Sequence, residues 1–197
     1  MTDTSKINKK KLLDSLMIAI GLLLITAAGI IMISRADFSK KQSAQSVVKA
    51  MEAILPARSR ALPEPRYGEG MPSAEIGGEN FVGLLEVERY NCLLPVGANR
   101  SDSDVKRFPL AYSGNIYNRD FVICGSSKSG QFDFVDEIEM GEPVKFTDLY
   151  GHEYCYEVDI VNHADSIEAI HSEDYDLTFF APSQNSSKYV IIRCRLS

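Results

Sequence analysis

Three histidines and four cysteines offer this chain its most versatile side-chain chemistry: His152, His163 and His171, with Cys92, Cys124, Cys155 and Cys194. A zinc site needs Cys or His pairs a few residues apart. Of the histidines only His152 has a Cys or a second His that near, Cys155 three residues on, and no second pair completes a four-ligand set. Each falls in a turn, at a strand end or in a polar loop, so all three read as surface residues. The cysteines lie within or beside short apolar runs, where a thiol usually acts as a small core side chain. Cys92–Cys155 and Cys124–Cys194 disulfides stay open at this level. Acids gather at 133–142 and 165–176 without the ordered spacing of a calcium loop, and they read as solvated surface. The stretch GSSKSGQ (125–131) lacks the Walker spacing, and no Gly-x-Ser-x-Gly elbow is present. These patterns imply no cofactor and no metal.

The chain that must position such groups has 197 residues, 45% of them hydrophobic and 24% charged. That mixture is globular, not disordered or fibrous. With 21 bases against 27 acids the net charge is −6, which argues against a nucleic-acid binder, since such a protein needs a clustered basic face.

From Leu16 to Ile33 the sequence LMIAIGLLLITAAGIIMI has no charge. About 17–20 such residues cross a bilayer core. Lys6, Lys9, Lys10 and Lys11 precede the run, so the positive-inside bias puts the N-terminus in the cytoplasm and everything beyond Arg35 outside the cell. A cleaved signal peptide is the rival reading. It has a shorter apolar region and a small-x-small cleavage site, and no such site follows Ile33. The sequence therefore divides into a cytoplasmic N-terminus (1–14), a single-pass membrane anchor (15–35), a stalk (36–55), a linker (56–79) and an extracytoplasmic domain (80–197). Residues 1–35 hold five bases and two acids; the remainder, with 16 bases and 25 acids, carries the acidic excess.

Within the stalk, residues 43–55 read as an amphipathic helix, with Val47, Met51 and Leu55 at i, i+4 and i+8 and Pro56 ending it. Four prolines and four glycines between 56 and 79 preclude a long helix or strand. Seven strand-like runs follow: 81–88, 92–96, 121–124, 143–148, 153–161, 177–180 and 189–196. Short helical turns are expected near 104–108 and 133–139. Many short strands with little helix indicate a mostly-β sandwich or barrel.

Read together, NFVGLLEV (80–87), CLLPV (92–96), RFPLAYSGNIYNRDFVICG (107–125), SGQFDFVDEIEMGEPVKFTDLYGHEYCYEV (129–158), DYDLTFF (174–180) and YVIIRCRL (189–196) resemble the sortases of Gram-positive bacteria, the class B-like branch in particular. Those are membrane-anchored cysteine transpeptidases that attach surface proteins to the cell wall. The likeness implies a closed eight-stranded β-barrel. It also marks a departure at the catalytic positions. Ser126 stands where the family has its histidine, Pro182 where it has its cysteine, and Tyr189, with Lys188 just before it, where it has its arginine.

Sortase chemistry needs a thiolate nucleophile, an imidazolium to protonate the leaving amine and a guanidinium for the developing oxyanion. Proline, serine and tyrosine supply none of these at neutral pH. Loss of one triad member in a comparable hydrolase costs on the order of 10⁴ to 10⁶ in rate. The expectation is therefore an inactive sortase-like protein whose groove is lined by Cys124, Ser126, Thr178, Phe180, Pro182 and Tyr189. Its partners would be a sorting-signal peptide, a pilin or an active sortase. The alternative is an active transpeptidase with a displaced nucleophile such as Cys124, for which His171 is the conceivable base.

Overall fold

Along residues 152–158 side chains alternate in and out, as a half-buried strand demands. Tyr154, Tyr156 and Val158 are buried while Glu157 is exposed. A computed structural model describes residues 42–57, 59–60, 70–98, 105, 107–128, 130–170 and 175–197, together with residues 23 and 26. The chain divides into two units, 1–39 and 40–197, and the account below concerns the second. The expected anchor lies outside the described residues apart from residues 23 and 26. Among the described residues no helix is long and apolar enough to cross a membrane.

Helix α1 covers residues 42–54, with Ala44, Val48 and Met51 buried along one stripe. Ten strands follow among the described residues: β1 (Ser59–Arg60), β2 (Ala74–Ile76), β3 (Glu79–Val87), β4 (Cys92–Gly97), β5 (Leu110–Ser113), β6 (Phe121–Cys124), β7 (Pro143–Asp148), β8 (His152–Ala164), β9 (Leu177–Pro182) and β10 (Tyr189–Leu196). Strands β3 to β10 close on themselves in the order β3-β4-β5-β6-β9-β10-β8-β7, with β7 returning to β3. This is the closed eight-stranded barrel that the resemblance implied. β4–β5 and β6–β9 are parallel pairs, and the other pairs around the ring are antiparallel. β2 adds to β3 as a short hairpin arm, and β1 runs parallel to the start of β8.

The apolar side chains form two clusters. One fills the barrel, with Leu85, Phe121, Ile123, Phe146, Phe179 and Ile192 at its centre. The other lies on the outer face and joins Val48 and Met51 of α1 to Leu84, Phe108, Val122, Cys124, Phe180 and Ile191. β3 contributes to both. It kinks between Phe81 and Gly83, where a Cβ on Gly83 would lie 2.4 Å from the Phe146 ring and from the Thr147 carbonyl.

The hairpin between β7 and β8 is organised by one carboxylate. Asp148 is fully buried. Its Oδ1 accepts from the N–H groups of Tyr150 and His152, each at 2.9 Å. Its Oδ2 accepts from the Tyr117 hydroxyl at 3.1 Å and the Tyr154 hydroxyl at 3.4 Å, and it lies 3.3 Å from His152 Nδ1. Burial, then the nearby Asp148 charge, push the Tyr117 phenol up. His152 is thus half-buried against a carboxylate, not a plain surface residue. Asp148→Ala strips the acceptor from four donors and is expected to cost about 3–5 kcal/mol. Urea unfolding at an unchanged slope measures this; a loss below about 1 kcal/mol would mean the turn holds without the carboxylate.

Candidate functional site

The parallel register of β6 and β9 sets Cys124 beside Phe180 and Val122 beside Thr178. The Gly125 N–H continues the pairing, donating to the Phe180 carbonyl at 3.0 Å. Two residues further along each strand, Ser126 follows Cys124 and Pro182 follows Phe180. The antiparallel register of β9 and β10 pairs Pro182 with Tyr189. Ile123, Phe179, Ala181 and Val190 point into the barrel, so alternation turns Cys124, Thr178, Phe180 and Tyr189 outward. Residues 54 or more apart in sequence thus meet on one face, with Ser126, Pro182 and Tyr189 along its rim.

The face is packed. Cys124, Thr178 and Phe180 are 7%, 2% and 5% exposed, Ser126 and Tyr189 are half-buried, and Pro182 is exposed. Val48 and the fully buried Met51 of α1, with Phe108 and Ile170, belong to the same apolar cluster as Cys124 and Phe180. Phe180 meets Tyr112 edge-on at 5.2 Å and Tyr189 at 6.2 Å. The reason lies in the sequence of β9, LTFFAP, which has no charged residue on either face. Leaving the outer one in water would forfeit roughly 25 cal/mol per Å².

The rim is stitched by two glutamine side chains. Gln131, 2% exposed, accepts from the Ser126 N–H at 3.0 Å and donates to the Val105 carbonyl at 2.9 Å. Gln184, between β9 and β10, donates to the carbonyls of Ser127 at 2.6 Å and Asp133 at 3.0 Å, and its own N–H donates to Asp136 at 2.7 Å. The Ser126 hydroxyl accepts from the Lys128 N–H at 3.2 Å. A Cβ on Gly125 would sit 2.5 Å from the Phe132 ring, so the residue after β6 has no room for a side chain.

Neither described histidine faces this rim. His152 is held at Asp148. His163 pairs with Val190, whose side chain enters the barrel, so alternation turns His163 to the face opposite Tyr189. His171 lies outside the described residues. No disulfide joins the cysteines. Cys124 is outward and Cys194 inward, while Cys92 is inward and Cys155 half-buried on the other face, so neither open pairing could form. Burial, then the charges of Asp133 and Glu86, push the Cys92 thiol up to about 12, and burial pushes the Cys194 thiol up as well.

Comparison with solved structures follows from this geometry. Sortase A from Corynebacterium diphtheriae aligns over 82% of this chain and 84% of its own, with a TM-score of 0.53 and 14% identity. The fold is the sortase fold. A Clostridium perfringens sortase C solved with the C-terminal cell wall sorting motif aligns over 68% and 78%, with a TM-score of 0.53 and 15% identity. Sortase A from Listeria monocytogenes aligns over 59% and 87%, with a TM-score of 0.51 and 15% identity. No protein-family model matches the chain, and neither does any curated protein. On this sortase fold, the acidic run 133–142 is only partly solvated. Glu142 is buried against Arg89, and Asp136 holds Gln184. Sequence reasoning missed Gln131 and Gln184, which carry no motif. It read the apolar stripe of α1 without finding the surface that α1 covers.

Two measurements check this arrangement. In the native protein, N-ethylmaleimide should label Cys155 before Cys124. Met51→Asp, which puts a charge into the outer cluster, should unfold part of that cover and bring Cys124 labelling up to the Cys155 rate. Equal labelling of the two in the parent would mean that the face is open. The second concerns alkaline stability. The folded Cys92 thiol keeps its proton to about 12, against an ordinary value of 9.0. Its contribution is therefore present below pH 9 and is lost as pH rises toward 12. Cys92→Ala should make the stability-against-pH curve shallower across that window.

Proposed function

We propose that this chain is a membrane-anchored, extracytoplasmic protein of the class B-like sortase type that has lost acyl transfer. Its role is that of a peptide- or protein-binding accessory in cell-surface protein or pilus assembly. One observation carries the reading. The strand registers collect Ser126, Pro182 and Tyr189 at one rim, the positions at which the sequence likeness sets an imidazole, a thiolate and a guanidinium. Acyl transfer to and from an enzyme needs a nucleophile whose proton has somewhere to go. The rim offers a hydroxyl tied into its own turn, a proline and a phenol. The nearest thiol, Cys124, faces a packed apolar layer.

What remains at the rim favours recognition over reaction. Pro182 is exposed, and Tyr189 and Ser126 are half-exposed beside it. The Clostridium perfringens sortase C was solved with a C-terminal cell wall sorting motif. A sorting-signal-like peptide is accordingly the first partner to consider, ahead of a pilin or an active sortase. Such a peptide meets the Ser126–Pro182–Tyr189 rim beside the buried Phe180, whose ring packs on Tyr112 and Tyr189. The uncharged run 16–33, with lysines before it, supports a single-pass anchor with the N-terminus in the cytoplasm.

Full-length protein in detergent micelles, given a sorting-signal peptide and an amine acceptor, should yield no cleaved product and no acyl adduct by mass spectrometry. The same peptide should perturb the amide resonances of Ser126 and Tyr189. An adduct on Cys124 would establish the displaced-nucleophile enzyme instead. No perturbation at millimolar peptide would remove the binding role.

A further inference from the structure

Residues 70–73 have no regular structure and lead into β2, yet one side chain fastens them to the barrel. Met71 is half-buried and packs against the apolar cluster that fills the barrel. Its thioether sulfur, a weak acceptor, takes the Ile116 N–H at 3.4 Å. The turn that carries Ile116 is otherwise held by its own side chains. The Asn115 N–H donates to Asp120 Oδ1 at 2.9 Å, and the Asn118 N–H to Asn115 Oδ1 at 2.8 Å. Tyr117, next to Ile116, reaches the buried Asp148 through its hydroxyl. Within this turn it is the Ile116 amide that draws on the linker for its acceptor.

A cavity of about 280 Å³ opens beside this contact, and Met71 forms part of its wall. Gly70, Ser73 and Gly114 at its mouth are exposed, and Val82 and Phe121 at its floor are buried. A small solute therefore reaches the Met71 sulfur from solvent. The two other described methionines bracket this one. Met51 is fully buried under the outer cluster, while Met140 is 70% exposed and belongs to neither cluster.

We propose that Met71 is a site of sulfoxidation by hydroperoxides, and that its oxidation unlatches the 70–73 strap from the 115–118 turn. The sulfur lone pair attacks one peroxide oxygen. An S–O bond forms as the O–O bond breaks, so the sulfur is oxidised by two electrons and the peroxide reduced, its second oxygen leaving as water after proton transfer. The product cannot keep the old contact. Sulfoxide sulfur is positively polarised and no longer accepts from Ile116. An oxygen inserted on that side finds no room at 3.4 Å, and one turned to the floor meets apolar side chains without a donor. The latch lies apart from the Ser126–Pro182–Tyr189 rim and does not depend on whether the chain transfers acyl groups.

The test uses full-length, ¹⁵N-labelled protein in detergent micelles treated with hydrogen peroxide. Peptide mapping by mass spectrometry should find Met140 oxidised first and Met71 next, with Met51 at least about tenfold slower than Met71. Once Met71 is converted, hydrogen exchange of the Ile116 amide should accelerate by about tenfold or more, while the Asn118 amide keeps its rate. Reduction by the paired methionine sulfoxide reductases should restore the parent Ile116 rate. Met71→Leu has about the same volume and leaves every other methionine and cysteine in place. In that variant peroxide should leave Ile116 exchange unchanged. Oxidation of Met71 no faster than of Met51, an unchanged Ile116 rate in the Met71 sulfoxide, or the same peroxide effect in Met71→Leu would each overturn the proposal.

Discussion

Neighbouring strands that are buried on both faces impose the main constraint on this molecule. All four residues of β6 are buried, as are five of the six in β9 and the stretch Val190–Cys194 of β10. Closing the barrel removes one face from water. The other needs a second cover, and the chain supplies it from outside the barrel with Val48 and Met51 of α1, Phe108 and Ile170. Each large side chain buried in this way contributes about 1.5–3 kcal/mol. The arrangement has a functional corollary. A surface held by that much hydrophobic burial is not also an open trough, so access to its interior residues requires the covering cluster to shift.

The rim shows the same preference for order. Two carboxamides that do not titrate hold its backbone in place. Gln131 fixes the backbone at Ser126 and ties it to Val105, and Gln184 spans the gap to the carbonyls of Ser127 and Asp133. Gln131 also lines a cavity of about 480 Å³ shared with Tyr90, Asn91 and Phe134. A single buried side chain therefore touches both regions, and a change in the 130–137 turn is felt at each.

The barrel was legible in the sequence where the period of two was clean. The runs that became β3, β4, β6, β7, β8, β9 and β10 stand out because each joins β-branched or aromatic residues at alternating or continuous positions. β5 was not legible by that route. Leu110-Ala-Tyr-Ser is four residues long, bounded by Pro109 and Gly114, and it shows as a strand only because β4 and β6 flank it. β2 was hidden among prolines and glycines for a similar reason: three residues need a partner strand to be extended at all. The meeting of Ser126, Pro182 and Tyr189 followed from family likeness, not from local pattern, since only the tertiary register joins them. The role of His152 was invisible because it depends on a hairpin that bends its ring back to a carboxylate four residues earlier.

The position of β10 bears on how the molecule comes to exist. Residues 189–196 lie between β8 and β9, and β6 must wait for β9, which begins more than fifty residues later, before its own edge is paired. Contacts of such long sequence separation make folding slow, on the order of milliseconds to seconds for barrels of this kind. A chain that emerges N-terminus first, from a ribosome or through a membrane pore, therefore holds unpaired strand edges until residue 196 is free. Such edges invite association with other chains. The interval before closure is the stage at which this protein most needs a chaperone.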